Sequence, residues 1–276
     1  MTFRSAGRPA ALCSQAMLLE RFGLPGKVAI VTGASRGIGA AASRALAEAG
    51  ADLVVSARDP DVLGALAKSL SDTGRRVVPI AADLNDLDTL PALIEAATSL
   101  GRVDILVNNV GGTMPRPFMK TSPRYLEAAF HFNVTVAFEL TRLVVPPMLA
   151  VGGGSVINIS STMGRLADRG YVAYGTAKAA LIHMSRLAAV DLSPKIRVNV
   201  VAPGSIETDA LGTVLNDDMR RTMTAMTPAH RLGTPEDIAA AIVYLASDAG
   251  AFLTGKVLEV DGGLNAPNLP LGLPDL

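Results

Sequence analysis

Of the four tyrosines in this 276-residue sequence, only Tyr174 is followed four positions later by a lysine, Lys178. On a helix that spacing puts both side chains on one face. A neighbouring ammonium favours the phenolate and lowers a phenol's pKa from its ordinary value of about 10. Tyr174 then becomes a usable acid and base near neutral pH. Ser161 precedes it by thirteen residues, a hydroxyl that can donate to an oxygen gaining charge as a proton moves. Alone, Tyr-x-x-x-Lys is an ordinary amphipathic pair, so its weight depends on where the chain places it.

A second constellation lies nearer the N-terminus, where an apolar run leads into Thr32-Gly33-Ala34-Ser35-Arg36-Gly37-Ile38-Gly39. Glycines there allow a tight turn and close approach to a pyrophosphate, and the helix that follows offers unpaired N–H groups to an anion. This reads as a dinucleotide-binding turn. The second apolar run ends in Ser56-Ala57-Arg58. A carboxylate at that place reads the ribose hydroxyls of NAD, whereas arginine accommodates the additional phosphate of NADP. Arg36 and Arg58 together present two forked guanidiniums suited to a phosphate dianion. NADP(H) is therefore the preferred cofactor, with NAD(H) left open through Asp59.

Both constellations need a scaffold that brings them together. From Lys27 onward, short β-branched runs alternate with longer Ala- and Leu-rich stretches, a βαβ series. Strands are predicted at Val28–Thr32, Leu53–Ala57, Val77–Ala81, Ile105–Asn108, Ser155–Ser160, Arg197–Ala202 and Val257–Val260, apolar enough to be buried on both faces of a parallel sheet. Helices are predicted near Gly39–Ala49, Asp61–Ser71, Asp86–Leu100, Pro123–Leu149, Val172–Leu192 and Pro235–Ala246, two of them opening on Ser-Pro or Thr-Pro start signals. The expected fold is α/β: a single-domain, doubly wound Rossmann fold with a seven-stranded parallel sheet and helices on both faces. Its ligand crevice lies outside the carboxyl ends of the strands. Residues 1–25 are expected to be a flexible extension, 26–265 the domain, 204–231 a lid of loop and short helices, and 266–276 a tail.

The Thr-Gly-x-x-x-Gly-x-Gly spacing, Asn108-Asn109-Val110-Gly111 after the fourth strand, and Tyr174 with Lys178 and Ser161 together resemble the short-chain dehydrogenases/reductases, over roughly Lys27 to Gly263. The resemblance implies that Ser161, rather than the adjacent Ser160, hydrogen-bonds the substrate oxygen. It further implies that Tyr174 donates the proton, that Lys178 also holds the nicotinamide ribose, and that Asn133 supports a water linking the lysine to solvent. The cofactor would be held by Gly33, Ser35, Arg36, Gly37, Ile38 and Gly39 of the first turn and by Arg58. Asp83 and Leu84 would sit at the adenine, Asn109, Val110 and Gly111 beside them, Ile206 at the carboxamide and Thr208 at the pyrophosphate. Val110 departs from the family's alanine. Asn108 is read equally as a brace between strands. Other segments are similar to bacterial 7α-hydroxysteroid dehydrogenases and to 3-oxoacyl-carrier-protein reductases, which leaves a steroid-like alcohol, a 3-oxoacyl thioester or a xenobiotic ketone as substrate. Met114, Met163, Tyr171 and residues around Leu211–Met226 are expected to line the substrate side.

The function expected is NADP(H)-dependent interconversion of a ketone and a secondary alcohol. The alternatives are an NAD-dependent hydroxysteroid-type dehydrogenase and a non-catalytic dinucleotide sensor, the latter predicting loss of the Asn133, Ser161, Tyr174 and Lys178 set. Equal numbers of basic and acidic residues, 25 each, argue against a nucleic-acid surface. A single cysteine, Cys13, excludes an internal disulfide framework and a cysteine metal site, and a reducing cytoplasm fits. His131, His183 and His230 lack metal-ligand spacing, so no metal is expected. No uninterrupted apolar run reaches the roughly 18–20 residues a membrane span requires. The expected partners are a small apolar carbonyl or alcohol and further copies of the chain in a homotetramer built on its long apolar helices.

Overall fold

The computed structural model describes residues 18–212, 215–269 and 271–273. Seven strands form one sheet: Val28–Thr32 (β1), Asp52–Ala57 (β2), Val77–Ala81 (β3), Ile105–Asn108 (β4), Gly154–Ile159 (β5), Ile196–Pro203 (β6) and Val257–Val260 (β7). Their order is β3-β2-β1-β4-β5-β6-β7, and every pairing is parallel. The doubly wound Rossmann architecture expected from the sequence is the one observed. The order in which successive strands are added reverses at β1 and β4, from one side of β1 to the other, which opens a crevice at their carboxyl ends.

Alternation along each strand feeds two cores. Ala29 and Val31 of β1 face Leu46 of the helix Gly37–Glu48 (α1), Leu63 and Leu70 of Pro60–Ser71 (α2), and Ile238, Ile242 and Leu245 of a later helix. Val28 and Ile30 face the other way, onto Leu93 of Pro91–Ser99 (α3) and onto Leu140, Val144 and Met148. Central strands buried on both faces explain the near-continuous apolar runs.

Two predicted helices are interrupted. The stretch predicted as Asp86–Leu100 is a 3₁₀ turn, Leu87–Thr89, followed by α3. Pro91 takes a first-turn position because it has no N–H to donate and clashes with a preceding turn inside a helix. The stretch predicted as Pro123–Leu149 is Pro123–Phe130 (α4), a π-helical turn His131–Thr135, and Val136–Ala150 (α5). By length and composition alone Pro123–Ala150 could cross a bilayer, although Arg124, Glu127, Glu139 and Arg142 interrupt it and no uninterrupted apolar run results. In the fold, its apolar side Val136, Leu140, Val144 and Met148 covers the sheet.

The helix Val172–Leu192 (α6) runs from the crevice back along the sheet. The interval after β6 holds Asp209–Gly212 (α7) and Asp217–Met226 (α8), before Pro235–Ala246 (α9). Ser122 caps α4 through the Tyr125 N–H, and Thr234 with Asp237 forms a capping box on α9, as the start signals imply. The Cys13 position and residues 1–17 of the expected extension lie outside the described residues, as do 270 and 274–276 of the tail. Of the described tail, Pro267, Asn268 and Leu269 border the crevice, and Leu271 and Leu273 lie near Gly170.

Candidate active site at the carboxyl ends of the strands

Tyr174 lies in the first turn of α6 and Lys178 one turn later, both on the wall of a cavity of about 480 Å³. Two serines follow β5, and their bonding separates them. Ser160 Oγ donates to the Lys178 carbonyl at 2.9 Å, which ties strand end to helix. Ser161 Oγ accepts from the Met163 N–H at 3.1 Å and is hydrogen-bonded to the Tyr174 phenol.

Lys178 is buried, and its Nζ donates to the Ile159 carbonyl at 2.9 Å. Burial without a counter-charge pulls its pKa down to about 8, because desolvation penalises the charged form. Its Nζ stands 5.8 Å from the centre of the Tyr174 ring. The phenol pKa is raised, by burial first, with the Ser161 hydrogen bond opposing. The sequence-based expectation that Lys178 lowers this pKa is therefore corrected: desolvation outweighs an ammonium turned toward a carbonyl.

Asn133 sits in the π turn behind this pair, fully buried. Its Nδ2 donates to the Ala129 carbonyl at 2.8 Å, and its Oδ1 accepts from the Gly112 N–H at 2.9 Å. The extra residue of a π turn is a recurrent feature of functional sites. Gly111 separates Asn133 from the lysine, and a Cβ there would stand 2.8 Å from both Asn133 Oδ1 and Lys178 Nζ. Only glycine lets these two polar atoms share one side of the backbone.

The glycine-rich turn borders the same cavity through Arg36, Gly37 and Ile38, facing Asn109, Gly111, Ile206 and Thr208. Gly39 is inside the turn rather than on the wall. A Cβ on it would lie 2.1 Å from the Gly33 carbonyl oxygen, so helix and turn pack backbone to backbone. Gly33 and Gly37 have positive φ, 63° and 52°, a region that L side chains avoid. No side chain caps the start of α1, which leaves first-turn N–H groups for an anion. Thr32 Oγ1 accepts from the Asn109 and Val110 N–H groups at 2.9 and 3.1 Å, locking β1 to β4. Asn108 is a brace: its Nδ2 donates to Asn158 Oδ1 at 2.8 Å and to the Ala137 carbonyl at 3.2 Å.

An adjoining recess of about 200 Å³ is lined by Gly33, Ser35, Arg36, Arg58, Asp83, Leu84, Asn109, Val110 and Gly111, together with Phe132. Neither the Arg36 nor the Arg58 guanidinium has a partner among the described residues. Asp59, the competing ribose reader, instead caps α2, its Oδ1 accepting from the Asp61 and Val62 N–H groups. Asp83 Oδ1 is likewise used in a turn with Asn85. The uncapped helix start, the glycine contacts and the two free cations fit a dinucleotide.

On the substrate side, Met163, Tyr171, Leu211 and Met223 line the cavity as expected. Met114 does not. It is 67% exposed, and its carbonyl accepts from the Tyr125 hydroxyl. The tail enters the site unannounced by the sequence. Leu264, Pro267, Asn268 and Leu269 all border the cavity. Asn268 is buried, accepting from Ser205 Oγ at 2.6 Å while its Nδ2 donates to Thr227 Oγ1 at 3.0 Å. It thus ties the loop after β6 to the end of α8. The one cue was an asparagine in an otherwise Pro- and Leu-rich tail. Asp168 and Asp209, also on the wall, carried no sequence signal.

A family model described as enoyl-(acyl carrier protein) reductase matches residues 33–265. An uncharacterized oxidoreductase of Mycobacterium tuberculosis is 56% identical over 263 residues, 94% of this chain and all of that protein. The chain belongs to the short-chain dehydrogenase/reductase family. As a member it is an oxidoreductase acting on CH–OH groups. It is also similar to a 3-oxoacyl-[acyl-carrier-protein] reductase of Vibrio cholerae, 38% identical across 87% of this chain and 98% of that one. Among solved structures, a 7α-hydroxysteroid dehydrogenase complexed with NADH and 7-oxo glycochenodeoxycholic acid superimposes with a TM-score of 0.87. It is 38% identical, and the match covers 91% of this chain and 98% of that one.

Proposed function

We propose that this short-chain dehydrogenase/reductase interconverts a ketone and a secondary alcohol with NADP(H), using Tyr174 as the general acid and base. The observation that carries the reading is the convergence of Ser161, Tyr174 and Lys178 on one cavity that the glycine-rich turn also borders. Gly33, Ser35, Arg36, Gly37, Ile38 and Gly39 hold the pyrophosphate end, and Asp83 and Leu84 the adenine. Asn109, Val110, Gly111, Ile206 and Thr208 close on the remainder. Arg36 and Arg58 receive the ribose phosphate, because an unpartnered guanidinium gains charge-assisted hydrogen bonds there without breaking an ion pair. When bound, the nicotinamide supplies or accepts the hydride.

The chain's own part is proton handling. Ser161 donates a hydrogen bond to the substrate oxygen, and Tyr174 donates its phenolic proton to that oxygen during reduction. A phenol held above its ordinary pKa by burial stays protonated at neutral pH and is ready as an acid. In oxidation the same group must lose its proton first, so that direction gains with rising pH. Lys178 orients the ribose hydroxyls, and Asn133, locked in its π turn, holds the solvent link behind it.

The apolar side chains that α4, α5 and α6 leave in solvent, including Leu126, Phe130, Phe138, Leu187 and Val190, support assembly as a homotetramer, measurable by light scattering. The activity itself is tested with NADPH carrying deuterium at the transferable position and a panel of ring and chain ketones. Deuterium on the carbinol carbon of the product, absent with Tyr174→Phe, supports the reading. NADPH that binds without any transfer across the panel favours the sensor reading instead.

A further inference from the structure

The substrate side of the cavity is charged in one sense only. Its wall of Met163, Leu166, Leu211, Met223, Leu264 and Leu269 is interrupted by two carboxylates, Asp168 and Asp209. Among the described residues no cation joins them there. Of the two basic groups that border the cavity, Arg36 belongs to the glycine-rich turn, and Lys178 is buried against the Ile159 carbonyl.

Nearby arginines are already committed. Arg165 pairs with Glu259 at 2.9 Å and Asp261 at 3.7 Å. Arg220 pairs with Glu207, and Arg169 donates to the Leu273 carbonyl. Arg116, in the adjoining recess that shares Asp168 and Tyr171, is stacked on the Tyr125 ring. With Arg36 taken up by the cofactor, a substrate carboxylate or phosphate entering this space would lose water, meet two like charges and find, among the described residues, no further cation on the cavity wall to pair with, a combination that disfavours binding. A neutral substrate incurs none of that and keeps the apolar contact.

We infer that the cavity selects an uncharged carbonyl or alcohol and discriminates against substrates bearing a carboxylate or phosphate near the reacting carbon. The inference rests on the ketone/alcohol reading above and narrows its substrate class. The field of Asp168 reaches inward: with burial as the larger cause, it pushes the neighbouring Tyr171 phenol up to about 12. Tyr171 and Tyr174 lie with ring centres 6.3 Å apart, so the carboxylate acts close to the chemistry.

The test uses a matched pair, 4-oxocyclohexanecarboxylate and its methyl ester, as substrates with NADPH. Wild type, Asp168→Asn, Asp209→Asn and the double variant are assayed at low and at physiological ionic strength. Both aspartates are exposed, so their amides leave the packing intact, and thermal melting checks this. The ester is expected to have a kcat/KM about tenfold above that of the acid, equivalent to about 1.4 kcal/mol. The ratio is expected to shrink several-fold in the double variant and with added salt. Equal or better use of the acid, or a ratio unchanged in the double variant, overturns the inference. So does NADPH binding with no turnover of either ketone, because the ester belongs to the class named. Failure to bind NADPH, read by fluorescence in the same samples, counts instead against the underlying oxidoreductase reading.

Discussion

The two ends of the sheet treat charge in opposite ways. At the amino ends of β1 and β4, Asp104 is 5% exposed and every neighbour answers it. Arg102 donates through Nε and a terminal nitrogen at 2.7 Å each, the Val28 N–H at 3.0 Å and Lys27 Nζ at 3.1 Å. Burial alone would raise the Asp104 pKa, but these donors together hold it below the usual range. At the carboxyl ends, Arg36 and Arg58 have no partner among the described residues, Lys178 is buried beside a carbonyl with its pKa drawn down to about 8, and the Tyr174 phenol is pushed up. A charge whose partners are all supplied by the chain serves the fold. Groups left unpaired, or shifted by desolvation, are where a ligand would complete the set.

Breaking each end separately sharpens the contrast. The largest effect expected is Tyr174→Phe, which should lower ketone reduction by about 10²–10⁴-fold, the usual contribution of a positioned acid. NADPH affinity and melting temperature should hardly change. Loss of stability rather than turnover would make Tyr174 a packing residue. Asp104→Ala should do the reverse, lowering unfolding free energy by about 3 kcal/mol in urea, because it strands two cations and a buried N–H. The folded fraction should keep its kcat.

A smaller effect concerns pH. The Lys178 ammonium is present below its pKa of about 8 and lost above it. The kcat/KM for reduction should therefore be flat through neutrality and fall severalfold above pH 8. A profile still flat at pH 9.5 would remove the charged lysine from the mechanism. Smallest is Asp237→Asn in the α9 capping box. Hydrogen bonds from Arg231 and Thr234 hold that carboxyl down to about 2. Its stabilisation is thus complete above the ordinary carboxylate range and fades as pH falls toward 2. Asp237 is only half-buried and its partner Arg231 is exposed, so the substitution should cost only about 0.5–1 kcal/mol at pH 7 by thermal denaturation.

The strands were legible because a sheet buried on both faces leaves unbroken apolar runs. Four of the seven, β1, β3, β4 and β7, begin and end where the sequence places them; β2 begins one residue earlier, and β5 and β6 differ by one residue at each end. The glycine-rich turn and Tyr174 with Lys178 were legible because their spacing is local. What was not legible depends on distance or solvation. The π turn at Asn133 forms around the Gly112 backbone, twenty-one residues away, and periodicity cannot show that. The direction of the Tyr174 shift depends on burial, which composition does not reveal. Met114 lies near the expected wall in sequence, yet it is turned to solvent. Asn268 reaches the cavity only because the tail folds back across it, bonding to Ser205, sixty-three residues earlier.

The most direct test of the account is a fluorescence titration with NADPH and NADH of the wild-type chain and of Arg58→Asp. The wild type should bind NADPH more tightly than NADH. The variant should lose about 10–100-fold of NADPH affinity, the range expected when a charged hydrogen-bond partner is removed, and should bind NADH at least as well as before. Equal affinities in the wild type, or a preference unmoved by the substitution, would contradict the assignment of Arg58 to the ribose phosphate and point to an NAD-linked dehydrogenase.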